Sequence, residues 1–94
     1  MADYERSTVF PVREIFRIAD EVFRERAELT RTQESRHSVT YSGGEGTVTL
    51  DAHRHGASTV VTARTDQLRT SKLDIVVRYL MNQLPYQPGD PPRA

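Results

Sequence analysis

The chain has 94 residues, enough for one domain with a thin core, since a domain of this size buries only about two-thirds of the surface its unfolded chain exposes. Acidic and basic residues balance at 13 each, which leaves no long-range field to steer nucleic acid or an anionic membrane. The absence of cysteine removes disulfides, thiolate nucleophiles and cysteine-held metals.

The opening residues Met1 to Arg6 carry no apolar run, so no signal peptide is expected, and no segment reaches the ~18 apolar residues of a membrane span. The expectation is a soluble cytoplasmic protein. Tyr4 to Phe10, with Thr8, Val9 and Phe10, reads as a short strand. Pro11 fits the first turn of a helix, where a missing N–H costs nothing. Val12, Ile15, Phe16, Ala19, Val22, Phe23 and Ala27 then recur at helical spacing and predict a helix from Pro11 to about Glu28. Its outer face holds Asp20, Arg24 and Glu28, which stand four apart and can pair weakly.

Leu29 to Glu34 is polar and without period, and reads as a connection. Three strands follow: Arg36–Ser42, Thr47–Arg54 and Ser58–Thr65. In the first two, alternation puts His37, Val39, Tyr41, Val48, Leu50 and Ala52 on an apolar face, and Thr47, Thr49, Asp51 and His53 on the other. Gly43-Gly44-Glu45-Gly46 and His55-Gly56 are the turns, so these strands form an antiparallel meander. Ser71, with Asp74 three residues on, approximates a capping box and opens a second amphipathic helix, Lys72 to Leu84, that Pro85 ends. Leu73, Val76, Val77, Leu80 and Leu84 form its stripe.

Two apolar stripes and one apolar sheet face must meet. The predicted fold is therefore α+β, a two-layer sandwich of order β-α-β-β-β-α with both helices on one face of an antiparallel sheet. Residues 1–84 are the single domain. Residues 85–94, with four prolines and no period, are expected to be an extended or disordered tail.

Arg6-Ser7-Thr8-Val9-Phe10-Pro11-Val12-Arg13-Glu14-Ile15-Phe16, a strand running into a Pro-containing helix start, resembles the opening of helix-grip proteins. That superfamily includes START domains, polyketide cyclase-like proteins and plant pathogenesis-related ligand carriers. The helix Lys72–Leu84 sits where the family keeps its grip helix, after an antiparallel meander. The resemblance implies a hydrophobic small molecule held between that helix and the sheet. Family members are longer, with six or seven strands curved around a cavity.

Candidate chemistry is sparse. His53 and His55 form an H-x-H pair which, with Asp51, puts three donors on one strand face, but a solvated polar face accounts for all of them. No metal and no cofactor are expected. The glycine cluster joins two strands and so is a hairpin turn, not a phosphate loop. The threonine-rich face lacks aromatic platforms for single-stranded nucleic acid. His37 and Tyr41, on the inward face of one strand, are the candidate ligand-binding residues. Ile75 and Tyr79 stand four apart on the back of the second helix, and a helix that is apolar on two sides is usually covered on two sides. They are the candidate interface. The function read from the sequence is a small non-enzymatic binding module, a homodimer or the subunit of a protein partner, engaging neither nucleic acid nor membrane. The alternative is a small polyketide cyclase-like enzyme or enzyme subunit.

Overall fold

The computed structural model describes residues 2–68 and 71–84. Seven elements follow in order: β1 (Ala2–Thr8), α1 (Val12–Ala27), β2 (Thr30–Glu34), β3 (Ser38–Gly43), β4 (Gly46–His55), β5 (Ser58–Thr65) and α2 (Lys72–Gln83). The five strands form one antiparallel sheet in the order β1-β5-β4-β3-β2. The helices pack on each other and on the same face, α1 over β2, β3 and β4 and α2 over β1 and β5. This is the predicted two-layer α+β sandwich, with one strand more than the sequence pattern reveals. Among the described residues no helix is long and apolar enough to cross a membrane. The Pro-rich segment 85–94 lies outside the described residues.

Strand register explains the core. Tyr4, Ala63, Leu50 and Val39 align across four strands, and Arg6, Val61 and Ala52 form the next row. All of these face the helices. The two alanines leave room for the large residues above them, and Ile15, Phe23, Leu73, Val77, Leu80 and Met81 fill it without solvent contact. Leu50 is fully buried while its neighbours Thr49 and Asp51 are half-buried on the far face, as the period-two pattern requires.

The helix ends show where local chemistry acts. Pro11 is the residue before α1, one position earlier than the sequence suggests; its extended backbone (φ −71°, ψ 159°) aims its carbonyl at the Ile15 N–H, 3.1 Å away. At the other end Glu28 takes a left-handed conformation (φ 53°), which lets Leu29 N–H reach the Phe23 carbonyl at 3.0 Å. That return brings the chain against Gly43, where an added Cβ would stand 2.9 Å from the Glu28 carbonyl oxygen. Ser71 caps α2 as predicted, its hydroxyl accepting from the Asp74 N–H at 3.1 Å.

The fifth strand, β2, was expected to be a connection. All five of its residues are exposed, so it has no buried face to produce an alternating pattern. It is an edge strand of polar residues, with a bulge between Arg31 and Gln33. The extra residue shifts the side-chain phase. Arg31 pairs with Tyr41 and Glu34 with Val39, both inward-facing partners, although the two positions are three apart in the chain.

Candidate binding groove

An open groove of about 210 Å³ lies where α1 ends over the β2 edge, lined by Asp20, Arg24, Leu29, Thr30, Arg31 and Tyr41. Each wall has a cause in the chain. Asp20 and Arg24 are one helical turn apart near the end of α1. Leu29 is the buried residue that anchors the chain after the left-handed turn. The register of β2 sets Arg31 opposite Tyr41, on the helix side of the sheet. Tyr41 projects inward from β3, its ring packed on Phe23 with centroids 4.8 Å apart.

A charged network crosses the groove. The Tyr41 hydroxyl donates to Asp20 Oδ1 at 2.7 Å. Arg31 grips the same carboxylate with two parallel bonds, Nε to Oδ1 at 2.8 Å and Nη2 to Oδ2 at 2.9 Å. Its third nitrogen donates to Glu34 at 2.7 Å. Burial and then the Asp20 carboxylate push the Tyr41 phenol well above its ordinary range. The hydrogen bond to Asp20 likewise holds Arg31 charged beyond the usual guanidinium range. Tyr41 therefore keeps its proton at any physiological pH. Arg24, at the rim, is exposed, and none of the ion pairs among the described residues involves it.

The other candidates separate. His37 was expected beside Tyr41 on the inward face. It is instead exposed in the loop between β2 and β3, because the strand begins only at Ser38 and frees the residue before it from alternation. Its ring lies by His53 on β4, with centroids 5.0 Å apart. His53 and His55 are both exposed on the far sheet face. On α2, Ile75 is 55% exposed, whereas Tyr79 is partly buried, packs against the core and carries the Arg26 guanidinium 3.7 Å above its ring. The layer between α2 and the sheet, where a ligand was expected, is packed with Leu73, Val77, Leu80 and Met81, all fully buried.

Helical spacing offers Arg24 as the partner of Asp20, but its partners are Arg31 and Tyr41, 11 and 21 residues away. Nothing local marks them, because Arg31's inward place follows from β2 pairing it with Tyr41 of β3. Arg17 makes the helix-face pairs instead, with Glu14 and with Glu21. The far face of the sheet is a hydroxyl surface, where Thr40 and Thr49 share a hydrogen bond of 3.2 Å and Ser42 and Thr47 one of 3.3 Å. No protein-family model and no curated protein matches the chain.

Proposed function

We propose that the protein is a small non-enzymatic binding module of helix-grip type, acting as a homodimer, whose ligand occupies the groove between α1 and β2. One observation carries the reading: a groove of about 210 Å³ that joins an apolar floor, Leu29 and the Tyr41 ring, to an exposed cation on its rim, Arg24. That combination suits a small amphiphile with an apolar chain and an anionic head. The size argues against a sterol or a full lipid, since pockets for drug-sized ligands run from ~300 Å³ upward. The order of elements supports kinship with the helix-grip superfamily: a strand leading into a helix opened by Pro11, an antiparallel meander, and a C-terminal helix across the sheet. The non-enzymatic half of the reading rests on Tyr41. Its proton is committed to Asp20, and a phenol held above its ordinary range is a poor general base.

The test is a titration of the full chain with octanoate, followed by backbone amide NMR. Saturable shifts centred on Leu29, Thr30 and Tyr41, with a dissociation constant at or below about 1 mM, are expected. Arg24→Ala should weaken binding, and octanol should bind less well than octanoate. Shifts scattered over the surface, or none by that concentration, overturn the reading.

A further inference from the structure

The far side of the sheet holds an arrangement that the groove does not use. His37 and His53 are 16 residues apart in the chain, yet their rings lie side by side with centroids 5.0 Å apart, tilted by 43°. Backbone geometry holds them together. The Ala52 N–H donates to the His37 carbonyl at 2.9 Å, and Ser35 N–H donates to the Ser38 carbonyl at 2.7 Å across the loop that carries His37. The loop is thus tied at both ends to the strand pair β3–β4, and His37 is fixed beside the strand that bears His53. Both side chains are exposed, so each ring can turn about its last bond without disturbing the core.

We propose that His37 and His53 form a two-imidazole site for a borderline transition-metal cation, Zn²⁺ being the case in point. Two neutral imidazoles are good ligands for that class of metal and poor ones for hard cations such as Mg²⁺ or Ca²⁺. The spacing fits. With zinc–nitrogen bonds of ~2.0–2.1 Å, each ring centroid stands ~3.2 Å from the metal, so two rings at a tetrahedral angle are ~5.2 Å apart. The observed separation is 5.0 Å, so rotation of the rings can aim the nitrogens without moving the backbone.

The surroundings favour the cation. Asp51 precedes His53 by two residues on the same strand face and pairs across to Ser38, next to His37, so an acidic residue shares that face with the pair. Val60 lies opposite His53 on β5 and contributes no charge. Arg36, adjacent to His37 in the chain, and His55, two residues beyond His53, are the other titratable groups nearby in sequence. Among the described residues no cluster of three or more histidine, cysteine, aspartate or glutamate side chains is close enough to hold a metal. The site therefore has two protein ligands, with water completing the shell. This is not the H-x-H arrangement of His53 with His55: the second imidazole comes from a different strand connection.

The experiment uses untagged full chain and Zn²⁺ alone, with the imidazole Hε1 resonances followed by NMR. The His37 and His53 signals should move along one shared binding curve, and His55 should not follow it. His37→Asn and His53→Asn should each weaken Zn²⁺ binding about tenfold or more, since each removes half of the chelate, whereas His55→Asn should change it by less than about twofold. All three side chains are exposed, and an amide NMR spectrum establishes that each variant keeps the fold. A His55 signal that tracks His53 while His37 stays still would overturn the proposal. So would independent midpoints for His37 and His53, or the absence of saturation.

Discussion

Asp74 has no solvent contact, yet it is a carboxylate in the first turn of α2. Its oxygens accept from the Tyr4 hydroxyl at 2.7 and 3.0 Å, and Arg78 Nε stands 3.1 Å from Oδ2. The residue does two jobs. It satisfies the capping arrangement with Ser71, and it ties α2 to β1 across 70 positions of sequence. Removing one partner from a buried hydrogen-bonded charge costs more than the bond is worth, because the other group is left desolvated. Asp74→Ala should therefore lower stability by about 2–4 kcal/mol, and Tyr4→Phe by about 1–2 kcal/mol. Urea unfolding of both variants and of the double variant checks this. The double variant should lose less than the sum of the two, since both substitutions break the same bond. Strict additivity would show that Asp74 acts through the helix end alone.

At the scale of elements, β2 is held to the molecule by its pairing with β3 and by a side-chain strap. Tyr41 on β3 and Arg31 on β2 both close on Asp20 of α1. The strap has a pH signature. The folded-state Tyr41 phenol lies above its ordinary value of 10.0, so the unfolded chain gives up that proton first. Stability from this group is fully present below pH 10 and is lost as pH rises from there toward the folded value. The chain has a single lysine, Lys72, but four tyrosines, so the Tyr41→Phe variant is what isolates this phenol from Tyr4, Tyr79 and Tyr86. Wild type should lose stability as pH rises above about 10 in urea melts, and Tyr41→Phe should lose less while starting about 1–2 kcal/mol lower at pH 7. Equal slopes for the two proteins would assign the alkaline loss elsewhere.

The same elements show what could be read in the chain and what could not. The stripe from Val12 to Ala27 and the alternation around Val48, Leu50 and Ala52 are signals of burial, and burial is what the structure shows there. Ser71 with Asp74 is a local signal and appears as a cap. β2 carried no such signal, because an edge strand with five exposed residues has no buried face to repeat. The groove followed it out of view, since Arg31 faces inward by pairing with Tyr41, and nothing in Thr30-Arg31-Thr32-Gln33-Glu34 announces that pairing. Tyr41 was identified because its inward position follows from alternation; His37 was misplaced because alternation stops where the strand stops.

For the whole molecule, the remaining question is which surface a second copy would cover. The far sheet face is a poor choice for dry contact. Its central rows are threonine, serine and acid, with Asp3 opposite Arg64 and both Glu5 and Asp51 opposite Thr62, and Val60 as its one large aliphatic residue among the described ones. The helix layer is the better choice. Tyr79 is already served within its own chain by Arg26, and Ile75, one turn before it, is left 55% exposed. The proposed homodimer therefore runs along α2, with Ile75 at its centre. A two-fold contact doubles the effect of a single change, since the substitution appears in both copies. Burying each isoleucine contributes roughly 1.5–3 kcal/mol, so Ile75→Glu should weaken association at least about a hundredfold. Tyr79→Glu should act in the same direction but also cost stability, because that ring packs on the core and beneath Arg26. Ile75 is thus the cleaner probe. Light scattering should give a dimer mass for wild type and a monomer mass for Ile75→Glu, with unchanged far-ultraviolet circular dichroism. A monomeric wild type, or a variant that stays dimeric, would remove α2 as the seam and leave Ile75 a lone exposed side chain.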